Sequence, residues 1–429
     1  MSISSLIENS TASKAWTFFS ELSQIPRMSQ YEEGVRNWLI DLCKLNDWSY
    51  KTDEMQNICI YIEGRGTLKE SEILVLQGHM DMVCEKNSNK THDFYKDPID
   101  LQIDGDWVKA SDTTLGADNG VAIALGLGLA SEDMPDRIPL ELLFTVEEET
   151  GLYGALGLDP KIVSGKRILN LDSEEDGVFT IGCAGGADLD IVFKATGTVE
   201  NVPAIKVCIS GLRGGHSGVD IHENRAHAVK IALEIMSDLD ELSLYSFNSG
   251  NKRNAIPREA EFIAGNVNED KLQTSVATII QKYQDKDKGI AIAIETLDYS
   301  GPEFSQSLLQ CLSSIPIGVM SMDASYEELV ESSNSIGLIE TSDNTMAVVS
   351  LIRSSSLSLM LARMDEFKAL VESAGGEYSY SGLYPGWQPN ADSKLLSDAK
   401  EVYKNTFGDY PRVEGIHAGL EAGIIGEKV

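Results

Sequence analysis

Cysteine is scarce and scattered in this chain: six residues (Cys43, Cys59, Cys84, Cys183, Cys208, Cys311) with no CxxC spacing. That pattern excludes a disulfide framework and a structural zinc knuckle, and it fits a reducing cytoplasm. Basic charge is short as well. Only 35 Lys and Arg stand against 67 Asp and Glu, a formal charge of −32, which repels nucleic acid and anionic membranes and leaves small molecules and cations as partners. No stretch reaches the ~18 consecutive apolar residues of a spanning helix. The polar segment from Met1 to Ser13 has no cationic region followed by an apolar run, so no signal peptide or membrane anchor is expected. A GxxxxGK[ST] phosphate loop, a nucleophile elbow and a basic face are also missing, which removes nucleotide-binding, triad and nucleic-acid functions.

What is present is a globular chain of 429 residues, 42 % hydrophobic, long enough for two domains. Up to about Gly185 apolar strands alternate with helical segments, as in Ile58–Ile62, Ile73–Leu76, Val121–Ala130, Leu140–Val146 and Ile168–Leu171. This alternation is the α/β pattern. Beyond Ala184-Gly185-Gly186-Ala187 it changes: Leu189–Phe193 and Ala204–Ile209 read as strands and Ala226–Leu239 as a helix. A similar strand-then-helix unit recurs at Thr345–Ile352 and Met360–Ser373, which points to two related halves inside an inserted α+β domain. The helical pattern at Ser393–Thr406 returns the chain to its first domain. The expected architecture is a two-domain α/β protein, with residues 1–185 and 381–429 forming one domain and residues 186–380 inserted in it.

Chemistry-bearing residues gather at the ends of the predicted strands. Leu74-Val75-Leu76-Gln77-Gly78-His79-Met80-Asp81 delivers a histidine and an aspartate two residues apart, and side chains at i and i+2 of an extended segment point the same way. Such a pair suits a metal ligand whose other ring nitrogen is held by a carboxylate. Asp118 sits in a Gly-rich turn before a helix, where backbone N–H groups favour a carboxylate. Glu147-Glu148-Glu149 follows the strand Leu140–Val146 and crowds like charges, a costly arrangement unless a cation neutralises it. Arg167–Leu171 ends at Asp172. Each has a plainer explanation when taken alone: a satisfied strand-end histidine, a helix cap, a solvated acidic turn, another turn carboxylate. In an open α/β sheet, however, ligands bind outside the carboxyl ends of the strands, where these sites converge.

Seven strings in order make the chain resemble the M20 family of metallopeptidases, and within it the aminoacyl-histidine (Xaa-His) dipeptidase branch. They are Ile25-Pro26-Arg27-Met28-Ser29, Gln77-Gly78-His79-Met80-Asp81-Met82-Val83, Gly116-Ala117-Asp118-Asn119-Gly120, Glu147-Glu148-Glu149-Thr150-Gly151, Gly211-Leu212-Arg213-Gly214-Gly215-His216-Ser217-Gly218, Tyr384-Pro385-Gly386-Trp387 and His417-Ala418-Gly419-Leu420-Glu421. The resemblance implies a catalytic domain with two Zn2+ per active site, Co2+ or Mn2+ being able to substitute, and an inserted lid and dimerisation domain. It implies that His79 and Asp172 bind one metal, Glu149 the other, and Asp118 both. It also implies that Asp81 orients His79, that Glu148 is the general base for the metal-bridging water, and that His216 stabilises the tetrahedral oxyanion. Arg353 is a candidate for the substrate carboxylate, and His417 belongs to a family string placed near the substrate. His222 and His227 read as surface or packing residues; His227 stands where the family pattern Arg-x-Asn-Ala has asparagine.

The family pattern also includes a Gly-x-His-Ser/Thr-Pro segment after the last helix, whose histidine completes the second metal's shell. The sequence given stops at Val429 before it. A protein truly ending there is expected to load one metal weakly. The implied activity is hydrolysis of dipeptides, preferentially carnosine-like Xaa-His substrates, by a cytoplasmic homodimer with small peptides as partners. A broader M20 di- or tripeptidase, an N-acyl amino acid hydrolase, and a non-catalytic binding protein are the alternatives.

Overall fold

Continuous apolar runs, rather than alternating ones, form the centre of the first sheet in the computed structural model, which describes residues 7–8, 10–173, 175–324, 326 and 328–429. Residues 1–6 and 9 of the polar N-terminal segment lie outside the described residues. The chain divides into two units, the first comprising Met1–Phe179, Ala391–Val413 and Leu420–Val429. Its sheet contains β1 (Ser49–Thr52), β2 (Ile58–Ile62), β3 (Leu74–His79), β4 (Leu140–Thr145) and β5 (Arg167–Asn170) in the order β1-β2-β4-β3-β5. β3 runs parallel to both β4 and β5, while β2 pairs antiparallel with β4. Parallel strands are covered on both faces, which is why Leu140–Thr145 is buried along its whole length.

Helix α1 (Ser13–Leu22), α2 (Glu33–Leu45) and α3 (Ala117–Ser131) complete the core, with Leu22, Leu39, Ile60, Leu127, Leu142 and Phe144 buried together. Asp118 and Asn119, at the start of α3, depart from helical φ/ψ, so Asp118 sits in a turn and the regular helix follows it, as the apolar pattern from Val121 suggests. Gly116 precedes this turn with φ 70°, a left-handed conformation that favours glycine.

The second unit spans Thr180–Asn390 and Glu414–Gly419. It holds β6 (Gly185–Lys194), β7 (Gly197–Ser210), α4 (Ala228–Ser237), β8 (Ser243–Ser249), β9 (Ala260–Gly265), α5 (Glu269–Tyr283), β10 (Ala291–Glu303) and α6 (Gln306–Ser314). After these come β11 (Gly318–Met322), β12 (Val330–Ser342), β13 (Thr345–Ser354), α7 (Leu357–Ser373) and β14 (Glu377–Tyr384). One antiparallel sheet runs β10-β7-β9-β8-β12-β13-β6-β14, with β11 beside β12. Side-chain caps begin the helices: Asn268, Ser305 and Ser356 accept from the backbone N–H of Lys271, Leu308 and Leu359. Ile231, Ile235, Leu272, Ile279, Leu308, Leu312, Met360 and Phe367 from the helices meet Leu189, Val207, Phe247, Phe262, Ile336 and Val348 from the strands in one core.

The internal repeat is visible in this sheet, with a different alignment from the one read in the sequence. Strands β7, β8, β9 and β10, with α4 and α5 between them, form one βαββαβ half. The second half is β6, α6, β12, β13, α7 and β14, and its strands lie in the mirrored order. The first half is thus inserted between β6 and α6 of the second. β13 and α7 therefore correspond to β9 and α5, whereas the counterpart of β7 and α4 is β6 with α6, separated by over a hundred residues. The halves join through β8 and β12, where Ser249 lies opposite Ile339.

His227 is a packing residue, at 4 % exposure, and His222 is exposed on the surface. His227 Nε2 meets Ser335 Oγ at 3.2 Å and its Nδ1 has no partner. Burial pushes its pKa down to about 3. The unfolded chain therefore binds an extra proton below about pH 6.5, so the stability tied to the neutral ring is complete above that pH and is lost as pH falls toward 3. In urea titrations at pH 7, 6 and 5, His227→Asn is expected to flatten the loss of unfolding free energy by about 1 kcal/mol per pH unit below 6. A slope equal to that of the parent would show that His227 is not the titrating group.

Candidate active site

The register of the three parallel strands brings their ends level. His79 lies opposite Thr145, and Gln77 lies opposite both Leu143 and Asn170. The chain leaving β3 carries Asp81, the chain leaving β4 carries Glu147 to Glu149, and the chain leaving β5 carries Asp172. Asp118 arrives from the turn at the start of α3. His79 Nε2 is 2.9 Å from Asp118 Oδ1 and 3.6 Å from Asp172 Oδ1, while its Nδ1 is 3.1 Å from Asp81 Oδ1. Among the described residues two groups can converge on a cation with ligand atoms within 4.8 Å: His79 with Asp118 and Asp172, and His79 with Glu148 and Glu149. All the residues named from the sequence for this centre, Asp81 included, are thus brought together in the first unit. Glu148, read as the general base, lies among the potential ligands.

Asp81 is the hub of the arrangement. Besides His79 it accepts from Ser29 Oγ at 2.7 Å, from the backbone N–H of Glu148 at 3.1 Å and from that of Glu149 at 3.2 Å. One carboxylate therefore fixes both the imidazole and the acidic turn. Beneath it, the buried Arg27 guanidinium donates to the carbonyls of Met80, Asp81 and Gly116. Asn119 accepts from the His79 backbone N–H at 3.2 Å and donates to the Leu171 carbonyl at 2.9 Å, tying β3 to the end of β5. The approach is so close that a Cβ on Gly78 would overlap Asn119 Oδ1 and lie 2.5 Å from Ala122 Cβ. Glu32 holds the other side of the acidic turn, accepting from the Glu147 N–H at 3.0 Å. Arg27, Ser29 and Asn119 stand inside the strings quoted above, but nothing in their local pattern reveals these contacts.

The electrostatics suit a cation. Burial works against a charged His79 ring, yet hydrogen bonds to Asp118, Asp172 and Asp81 outweigh it and push its pKa up. The hydrogen bond to His79 holds Asp118 below the usual carboxylate range. Burial would raise Asp81 too, but its hydrogen bonds prevail and its pKa is lowered. Glu148 is pushed up to about 8, first by burial and then by Glu421, Asp172 and Glu149; Glu149 is raised by burial and by Asp118. Carboxylates that raise one another's pKa, around one imidazole, form a nitrogen and oxygen donor set that a divalent metal would neutralise.

The second unit carries its own polar cluster. His216 pairs with Ala255 in a two-residue bridge, and its Nδ1 accepts the backbone N–H groups of Gly218 at 3.2 Å and Val219 at 3.0 Å. That leaves the ring proton on Nε2. Burial, then the charge of Arg353, lowers the His216 pKa and favours the neutral ring. Arg353 is only 5 % exposed, donates to the Tyr384 hydroxyl at 3.1 Å and leaves its Nε without a partner. His417 Nε2 meets Ser333 Oγ at 2.7 Å, and burial pushes its pKa down to about 3. A Cβ on Gly218 would lie 3.0 Å from Arg353 Nε and 3.1 Å from His216 Cε1, and would overlap the His417 carbonyl. His216, Arg353 and His417 are therefore neighbours.

Comparison with known proteins gives this geometry a family. The chain is 34 % identical to the cytosol non-specific dipeptidase of Escherichia coli K12, over 95 % of this chain and 87 % of that protein. It superposes on the aminoacylhistidine dipeptidase of Vibrio alginolyticus with a TM-score of 0.91 and 33 % identity, covering 98 % of this chain and 89 % of the other. The chain belongs to the M20 metallopeptidase family. Residues 209–288 match the M20 peptidase dimerisation domain. The aminopeptidase PepT of Bacillus cereus, at 16 % identity and a TM-score of 0.59 over 97 % of this chain and 88 % of that one, shares the fold.

In this M20 chain the orienting carboxylate can be tested apart from catalysis. Asp81→Ala frees the imidazole and the acidic turn together, so it is expected to weaken divalent-metal binding 10–100-fold in a competition titration against a chromophoric chelator. Retention of affinity within threefold would remove Asp81 from this role.

Proposed function

We propose that this M20 peptidase hydrolyses dipeptides in the cytoplasm, preferring those with a C-terminal histidine, and that it works with two Zn2+. The gathering of His79, Asp118, Glu148, Glu149 and Asp172 at the strand ends carries this reading. His79 and Asp172 are assigned to one ion, Glu149 to the other and Asp118 to both, with Asp81 holding the His79 ring. Bound zinc supplies a Lewis acid for the scissile carbonyl and lowers the pKa of water. Glu148, whose pKa is raised to about 8 mainly by burial, accepts a proton from the attacking water and passes it to the leaving amine. His216, with its proton on Nε2, donates to the developing oxyanion. Arg353 takes the substrate carboxylate, and His417 lies beside it. We assign catalysis to the domain formed by residues 1–185 and 381–429, and substrate capture and dimerisation to the insert, residues 186–380.

Two observations bear on breadth and setting. The Vibrio relative is named for aminoacylhistidine substrates, whereas the Escherichia coli relative is named a non-specific dipeptidase, which favours a wider substrate range as the second reading. That second name also places its bearer in the cytosol, and among the described residues no helix is long and apolar enough to cross a membrane.

The decisive experiment combines a substrate panel with Glu148→Gln. The parent, loaded with zinc, should cleave β-alanyl-histidine and glycyl-histidine faster than the matching alanine dipeptides and leave N-acetyl amino acids intact. Glu148→Gln should keep zinc and lose activity at least a thousandfold, and His216→Ala should lower kcat far more than it changes KM. Activity of Glu148→Gln within tenfold of the parent would refute the base, and equal rates across the panel would favour the wider range. The match to a dimerisation domain supports a homodimer. Light scattering is expected to give twice the 46.8 kDa chain mass at micromolar concentration; a single chain mass would reverse that assignment.

A further inference from the structure

The buried carboxyl of Glu421 belongs to none of the roles assigned so far. It opens helix α9 (Glu421–Lys428), lies in the first unit at 2 % exposure, and is seated by the buried Ile424 and Ile425 of the same helix. Glu421 Oε2 accepts from Gln77 Nε2 at 2.6 Å and from Thr145 Oγ1 at 2.8 Å. The contacts continue from both partners. Thr145 Oγ1 is 3.2 Å from the Gly78 carbonyl, next to His79. Gln77 Oε1 accepts from Asn170 Nδ2 at 2.6 Å, and Asn170 Oδ1 accepts the backbone N–H of Asp172 at 3.2 Å. A single carboxyl oxygen therefore links Gln77 of β3 with Thr145 at the end of β4 and, through Gln77, Asn170 at the end of β5, the strands that deliver His79, the Glu148–Glu149 turn and Asp172.

Placing an acid here is expensive. Glu421 Oε1 is buried with no partner, and such a group costs about 1–3 kcal/mol. Burial lifts the carboxyl to about 7, with Asp172 adding to the rise. An apolar residue would pack under the sheet without that cost, but it would remove the acceptor that Gln77 Nε2 and Thr145 Oγ1 share, leaving Gln77 Nε2 the longer contact to Thr145 Oγ1 at 3.3 Å.

We propose that Glu421 is a positioning residue for the metal centre, holding the ligand-bearing ends of β3, β4 and β5 in register through Gln77, Thr145 and Asn170. This rests on the metal-binding reading above. Outer contacts of this kind typically tune metal affinity by 10–100-fold.

The test measures zinc affinity of the full chain by chelator competition, together with thermal unfolding of the zinc-free protein. Glu421→Ala is expected to weaken zinc binding 10–100-fold, and Glu421→Gln, which keeps the acceptor, to stay within threefold of the parent. Leu142→Ala is the control for plain destabilisation, because Leu142 is buried in β4 against Gly126 of α3 and its apolar side chain takes no part in this hydrogen-bond path. It should lower the unfolding temperature at least as much and hold zinc within threefold. If Glu421→Ala does not fold, Asn170→Ala interrupts the same path and should lose about tenfold. The inference fails if Glu421→Ala, or Asn170→Ala in its place, stays within threefold, or if it loses no more than Leu142→Ala. A parent chain that takes up no zinc would overturn the metal reading itself, and this inference with it.

Discussion

Like-charge crowding around His79 is the constraint to which the rest of the first unit answers. Four carboxylates and one imidazole share a half-buried space, and burial, with the neighbouring carboxylates, raises Glu148 and Glu149. Arg27, a buried cation close enough to feel Asp81, Asp118 and Glu149, is hydrogen-bonded to the main-chain carbonyls of Met80, Asp81 and Gly116. Those contacts shape the loop under Asp81 and the start of α3. Asp81 differs from its neighbours because its oxygens are occupied by Ser29, His79 and two backbone N–H groups. The same arrangement thus satisfies Asp81 and leaves Asp118, Glu149 and Asp172 available for the ion proposed above.

The second unit solves a different problem, the presentation of neutral and cationic donors. Two backbone N–H groups occupy His216 Nδ1, so its tautomer is set by the main chain and not by a neighbouring acid. The nested repeat explains where the partners come from. His216 follows β7 of the first half, while Arg353 ends β13 of the second. Because the halves share one sheet through β8 and β12, a single chain brings these residues together without a second copy.

Local pattern made the strand ends legible. A buried parallel strand is rich in apolar residues, and the ionisable residues at or just after its carboxyl end are the ones delivered to the site, as at His79, Glu148 and Asp172. The helix at Ser393–Thr406 was equally plain, since Ser393 caps α8 (Lys394–Phe407) through Leu396 N–H. The supporting residues were hidden for a physical reason. Arg27 acts on Gly116, Asn119 on Leu171 and Glu421 on Gln77, and contacts between residues so far apart in sequence leave no periodic trace. The repeat was misaligned for a related cause: insertion of one half inside the other separates β6 from α6, so the eye pairs the wrong strand and helix.

The two faces of this chemistry are linked through protons. Glu148 and Glu149 are harder to ionise, first because of burial and then because of neighbouring carboxylates, and the imidazole is easier to protonate because of its hydrogen bonds to Asp118, Asp172 and Asp81. Cation binding must therefore displace protons from both kinds of group, which makes metal affinity depend on pH more steeply than for an isolated histidine site. With Glu148 raised to about 8, its share of this competition falls near neutral pH. Once a cation is held, its field stabilises the ionised forms and reverses the shift that the carboxylates impose on one another. The charge crowding that is unfavourable in the empty fold thus contributes to the affinity of the filled one.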